Sequence, residues 1–367
     1  MNGRMDLCAP AGRPARRALL AHGIALLALC LVGGYVAPRD LQAAWLAAWW
    51  FWTGAALGAL GTLYIHRLTG GGWGAVLRPH LLRRAASLAV LAPLILPLAL
   101  WTQAWYPWAQ PGWVDGAAQP AFRQLWRAEW FFDLRLGLYA ALWLALAWGA
   151  CHRRAASALD PGGAAGAAGG LLVLGYTATL AAVDLVASLV PQWYATGFGL
   201  LVLVAQLKTA LALATLRAAR AAPAPIRGDL GNLLLTYVMT WAYLEFTQFQ
   251  IIWAENLPAE ISWYLPRYLG SWHWLALVLL VLGACLPFAL LLSRRVKRSA
   301  ALAGVAALLA AMGWLETVWY VAPSLDGLSP HAWWLLPAMA ALMGGLARAA
   351  GHAVQAGAAP LPEPRHA

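Results

Sequence analysis

Residues 169–190 read Gly169-Gly-Leu-Leu-Val-Leu-Gly-Tyr-Thr177-Ala-Thr-Leu-Ala181-Ala-Val-Asp184-Leu-Val-Ala-Ser188-Leu-Val190, with one formal charge, at Asp184. As a helix this run rises about 33 Å at 1.5 Å per residue, enough to cross the ~30 Å hydrocarbon core of a bilayer. It is too long for a strand, and in lipid only helices and closed barrels pair every backbone N–H and C=O. The stretch therefore predicts a membrane helix.

Nine comparable runs lie near 18–36, 43–65, 83–101, 134–151, 197–218, 230–252, 271–293, 299–321 and 331–350. Over 367 residues, 62% are hydrophobic and 11% charged, whereas soluble domains carry roughly 25% charged residues. Mean hydropathy is +0.64. This composition excludes a soluble protein and predicts an all-α, polytopic integral membrane protein with ten transmembrane helices.

Basic residues test that count, because cytoplasmic loops collect Lys and Arg. With the N-terminus inside, 19 of the 25 Lys and Arg fall on the cytoplasmic side, among them Arg16, Arg17, Arg83, Arg84, Arg217, Arg294, Arg295, Arg298 and Arg348. Five (Arg39, Arg123, Arg127, Arg135 and Arg267) fall outside, and Lys208 lies within a span. A missed span would invert the later loops and destroy this alternation, so both termini are expected in the cytoplasm. Arg16-Arg17 before an apolar run also has the form of a secretory signal. Its best cleavage position, after Ala37, is obstructed by Pro38.

The net charge of +11 thus reports membrane orientation, and no DNA-binding motif accompanies it. Cys8, Cys30, Cys151 and Cys285 have neither CxxC nor CxxCH spacing, and no histidine occupies the centre of a span, as a membrane b-type haem requires. No metal or cofactor of its own is expected. Most of the 23 tryptophans sit toward the outer face, where an indole suits the headgroup layer. Five of them, Trp105, Trp108, Trp113, Trp126 and Trp130, crowd the outer loop 102–133 with Pro107, Pro111 and Pro120. That loop reads as an ordered cap or a docking surface for an extracytoplasmic partner. The Gly/Ala run 162–170 reads as a flexible linker and lacks the order of a nucleotide-binding loop.

An ionisable residue inside a span is costly and is a functional candidate by default. Asp184, Lys208, Glu245 and Glu316 meet that description. Asp184 shares a helical stripe with Thr177, Ala181 and Ser188. Lys208 lies on the next span, antiparallel to that of Asp184, so its stem is expected to reach that carboxylate. One reading is an ion pair that only fixes helix register; the other is a proton half-channel open to the outside, with Asp184, Glu316, Lys208, Glu245 and Ser188 along it.

Asp184 is followed seven residues later by Pro191, and Glu316 seven residues later by Pro323, an offset of four helices. Two tandem four-helix bundles explain this, at about 43–190 and 197–321, with the first and last helices flanking them. The membrane domain then covers 18–351, between a cytoplasmic tail at 1–17 and a disordered cytoplasmic tail at 352–367.

Two stretches carry a family resemblance. One is Thr179-Leu-Ala-Ala-Val-Asp184-Leu-Val-Ala-Ser188-Leu-Val-Pro191-Gln-Trp193-Tyr194-Ala-Thr196-Gly-Phe-Gly199. The other is Gly231-Asn232-Leu-Leu-Leu-Thr-Tyr-Val-Met-Thr-Trp241-Ala-Tyr243, continuing through Gln248 to Trp263-Tyr264 and ending at Ser293-Arg294-Arg295-Val-Lys297. Over about 170–325 the chain resembles the second, cofactor-free, polysulfide-reductase-like membrane subunit of alternative complex III, the bacterial quinol:cytochrome c oxidoreductase. The resemblance implies a non-catalytic subunit of the bacterial inner membrane that serves as scaffold and proton half-channel. It also implies a homologous quinol-binding subunit beside it, multihaem cytochrome c and iron–sulfur subunits, and a terminal oxidase as a further partner. The family's acidic positions map to Asp184 and Glu316. The chain departs from the family pattern at Leu185, Ala187, Val190 and Ala195, and Glu245 stands where the family has a small apolar residue. The alternatives are a stand-alone proton-coupled transporter, or a lipid-linked glycosyl or acyl transferase using Asp115, Glu129 and Asp133.

Overall fold

The structure, a computed structural model, describes residues 13–113, 121–152, 161–325 and 327–356. Residues 1–12 of the N-terminal tail, Asp115, Arg153, Arg154 and the tail from 357 onward lie outside the described residues. The described chain is helical, without strands. Its long helices are α1 (Arg13–Val36), α2 (Pro38–Thr69), α3 (Trp73–Leu100), α4 (Glu129–His152) and α5 (Pro161–Leu185). They continue as α6 (Phe198–Ala218), α7 (Ala224–Glu255), α8 (Trp272–Leu292), α9 (Ala301–Val321) and α10 (Ala332–Ala356).

Among the described residues nine of these helices, all but α7, are long and apolar enough to cross a membrane. α7 spans 32 residues, but Asn232, Thr236, Thr240, Tyr243 and Glu245 dilute its apolar content. Two helices are irregular for identifiable reasons. α3 is interrupted at Ser87 and tightens to a 3-10 turn over Ala92–Ile95, beside Pro93 and Pro97. α8 widens to a π turn over Leu279–Cys285 just ahead of Pro287, whose missing N–H cannot continue the α-helical ladder.

α2 and α6 form the centre. α2 packs on α3, α5, α6 and α10, and α6 packs on α5, α7 and α9. Lipid tails offer no hydrophobic drive for helix association, so close backbone approach through small residues has to supply it. Gly54, Gly58 and Gly61 form that seam: a Cβ on Gly58 would lie 2.2 Å from the Gln206 carbonyl oxygen, and one on Gly54 2.8 Å from the Gln206 side chain. Gly313 of α9 is equally constrained, with Thr209 of α6 at 2.3 Å. α8 packs on α7 and α9, while α1 rests mainly on α10. Buried Asp40 ties the start of α2 to the segment before α10, accepting the Ser329 N–H at 2.8 Å and the Ser329 hydroxyl.

The Gly/Ala run at 162–170 is not a linker. It is the first part of α5, which begins at Pro161. Ala is the best helix former and Pro suits the first turn; Ala167 is buried, and Gly170 lets the Tyr64 ring of α2 sit where a Cβ would come within 2.8 Å. In a membrane core, small residues that read as flexible in water become contact surface. α1 begins at Arg13 and α10 reaches Ala356, so helix extends into both of the expected tails.

Candidate functional site

α5 and α9 each carry a buried acid near the C-terminal end. Asp184 is 2% exposed, a few residues before α5 gives way to a 3-10 turn over Ala187–Leu189. Arg135 of α4 meets it as a fork, with Nε 2.8 Å from Oδ2 and Nη2 3.1 Å from Oδ1. Such a two-point contact fixes direction as well as distance. The Tyr139 hydroxyl donates to Oδ2 at 2.8 Å and the Trp126 indole to Oδ1 at 3.0 Å. The same Trp126 ring lies 4.1 Å from the Arg135 guanidinium carbon, a cation–π contact that closes the cluster. Trp126 ends the short helix Ala121–Trp126, so part of the Trp-rich loop folds down as a cap. Trp105 and Trp108 are buried, while Trp130 is exposed.

The expected partnership between Lys208 and Asp184 does not form. Lys208 faces α9, where its Nζ lies 2.9 Å from Glu316 Oε2, and both side chains are almost wholly buried. α6 lies between α5 and α9, and the side of its turn at 208 faces α9, leaving Asp184 to the arginine of α4. Ser188 does not join the acid's side chain either; its hydroxyl donates to the Asp184 carbonyl oxygen on the same helix. Of the stripe, Thr177 accepts the Trp143 indole at 3.1 Å and Ala181 is packed in the core.

Around Glu316 the donors are different. Trp241 of α7 donates its indole N–H to Oε1 at 2.6 Å, and its ring lies 3.4 Å below the Lys208 ammonium. The Tyr320 hydroxyl is 2.9 Å from Glu316 Oε1 and 2.5 Å from Glu245 Oε1. A hydroxyl owns one proton, so it donates to only one carboxylate at a time. Both contacts are satisfied as hydrogen bonds when one of the two carboxyl groups is itself protonated and donates to the Tyr320 oxygen. Glu245, Tyr320 and Glu316 therefore form a chain with room for one shared proton, beside a fixed ammonium.

A small cavity of about 20 Å³ lies between α2, α6 and α9, with Glu316, Tyr320 and Gln206 in its wall. Both amide atoms of Gln206 are buried with no protein partner. That is room for about one water with polar groups to hold it. A larger cavity of about 610 Å³ opens beside Asp184, lined by Trp108, Phe122, Trp126, Arg127 and Arg135 among others. Arg135 Nη1, buried and unpartnered, belongs to the same side chain.

Arg135 and Arg267, read from sequence only as basic residues of the outer side, are the main omissions. The 49-residue interval between Arg135 and Asp184 recurs between Arg267 and Glu316. Each arginine also follows an aromatic pair by the same step, Phe131-Phe132 and Trp263-Tyr264. That recurrence was available to find them. Arg267 does not reach Glu316. It is 1% exposed, stacks 3.5 Å from Trp263, and donates to the carbonyls of Trp263, Trp319 and Tyr320 and to Ser324. Of the loop acids, Glu129 accepts Gln103 at 3.0 Å, and Asp115 lies outside the described residues. Among the described residues no group of His, Cys, Asp and Glu is placed to hold a metal ion.

No family model matches this sequence, and no curated protein matches it.

Proposed function

We propose that this chain is a cofactor-free membrane subunit of a quinol-oxidising respiratory complex of the alternative complex III type, acting as scaffold and proton half-channel in a bacterial inner membrane. The motif resemblance around Asp184 and Trp241 supports the assembly, and the buried acids support the proton role. In this reading α7 is the tenth span, with Glu245 and Asn232 partnered by Tyr320 and Lys297. Helices α2 to α5 and α6 to α9 are the tandem bundles, α1 and α10 flank them, and both termini are cytoplasmic. Quinol binds at a homologous neighbouring subunit, and multihaem cytochrome c, iron–sulfur subunits and a terminal oxidase complete the assembly.

The observation that carries the proton role is the Glu245–Tyr320–Glu316 chain. A proton on Glu245 passes to the Tyr320 oxygen as the Tyr320 proton passes to Glu316. The hydroxyl is restored, and the net change is one proton moved between two carboxylates. The Lys208 ammonium, 2.9 Å from Glu316, stands beside that end of the chain. The Gln206 cavity offers the next station.

Purification of the full chain from native membranes in mild detergent is the test of the assembly. Multihaem cytochrome is expected to co-elute; a stable chain with no haem-bearing partner overturns the assembly. Within the complex, Glu316→Gln is expected to keep quinol oxidation and lower proton release. Unchanged proton release removes this route.

The cavity beside Asp184 favours a second reading, a proton-coupled transporter in its own right, because its size suits a small ligand. Proteoliposome flux that survives Asp184→Asn would remove the aspartate from such a mechanism.

A further inference from the structure

At the opposite end of the molecule from the two acids, three helices bring basic side chains to one narrow cleft. α3 contributes His80, Arg83 and Arg84, α6 contributes Arg217, and α10 contributes Arg348 and His352. No carboxylate lines it. Among the described residues none pairs with Arg84, Arg217 or Arg348. His80 Nδ1 is buried without a hydrogen-bond partner. Arg84 lines the cleft with its guanidinium carbon over the Trp52 ring, 4.8 Å from the ring centre.

The convergence is built into the packing. A Cβ on Gly351 would lie 2.6 Å from the Arg83 carbonyl oxygen, so glycine there lets α10 close on α3 and sets Arg348 and His352 against the α3 cations. Like charges gathered in one narrow cleft repel one another. An anion reverses the sign of that interaction. Arginine forks from separate helices suit a tetrahedral oxyanion, which accepts from several directions at once.

We propose that this cleft binds a phosphate group, as a free phosphate ion or as the phosphodiester of an anionic phospholipid headgroup, and that the bound anion clamps α3, α6 and α10 together. A headgroup reaches the cleft because it lies at the end of the helices, where basic pockets between spans meet the lipid phosphates. The site is separate from Asp184 and Glu316 and takes no part in proton movement.

The test uses the full chain, delipidated in mild detergent, with thermal unfolding followed during titration at constant ionic strength. The probes are phosphatidylglycerol, cardiolipin, phosphatidylcholine and inorganic phosphate. A saturable rise in melting temperature with the anionic phospholipids but not with inorganic phosphate supports the site and assigns it to a headgroup. A rise with inorganic phosphate alone supports the site and assigns it to the free ion. In Arg217→Gln/Arg348→Gln the half-saturating concentration should rise roughly thirtyfold, since each cation near the lipid phosphates contributes about fivefold. Without ligand that variant should melt no lower than the parent, because repulsion has been removed. Arg84→Lys, which keeps the charge and loses the fork, provides a milder variant and should weaken the same response. Arg294→Gln/Arg295→Gln, outside the cleft, should leave it unchanged. No response of the parent chain to any anionic probe overturns the proposal, as does an equal response in the parent and in the cleft variants.

Discussion

Asp184 and Glu316 stand at corresponding places in two halves of one chain, each seven residues before a proline, each almost fully buried and each bonded to a tryptophan indole and a tyrosine hydroxyl. Their counter-ions differ. Asp184 is gripped by the two-point fork of Arg135, which has no proton to give. Glu316 is held by the single ammonium of Lys208, and Tyr320 links it to a second acid, Glu245. Tyr139 serves Asp184 alone. The first site has one arrangement of protons that makes all four hydrogen bonds to Asp184; the second has two, differing by the carboxyl that holds the shared proton. In the proposed function the first site is a lock and the second a relay.

The comparison is sharpest where the counter-ion is removed. Arg135→Met leaves an uncompensated buried carboxylate and is expected to cost about 3–5 kcal/mol. Lys208→Met should cost less, because the shared proton can move to Glu316 and leave the negative charge on Glu245, which is less buried. Equal losses in thermal unfolding would erase the distinction. Lys208→Met/Glu316→Gln, with no charge left at that pair, should recover much of the single loss, read as a double-mutant cycle.

Removing the hydroxyls discriminates next. Tyr320→Phe leaves both Glu245 and Glu316 short of a partner and should cost about 1–3 kcal/mol, whereas Tyr139→Phe removes one of four donors to Asp184 and should cost about 1 kcal/mol. The same unfolding assay ranks them, and the reverse order would count against the relay. Ser188→Ala is expected to have the smallest effect, within about 0.5 kcal/mol, because its hydroxyl serves only a carbonyl on its own helix. Loss of proton release in this variant would return Ser188 to the path.

The helical membrane character of the chain was legible because each long apolar run leaves only one backbone solution in lipid. The buried acids and Lys208 were legible for the same reason, as isolated charges in those runs. Their pairings were not, because the partner of Lys208 depends on how α6 is rotated between α5 and α9. Arg135 sits in the second turn of α4, where it is indistinguishable by composition from a connector arginine, and Arg267 lies in the short helix Leu265–Leu269 between α7 and α8. The run at 162–170 misled because Gly and Ala serve flexible linkers in water and close helix contacts in lipid, and only the neighbouring Tyr64 decides between them.

The shared proton is tested most directly by infrared spectroscopy of the carboxyl C=O stretch in the full chain at neutral pH, compared with Glu245→Gln and Asp184→Asn. A protonated-carboxyl band is expected that shifts in D₂O, is lost or displaced in Glu245→Gln, and is unchanged in Asp184→Asn. A parent spectrum with every buried carboxyl ionised, or a band that disappears with Asp184 instead, would contradict it.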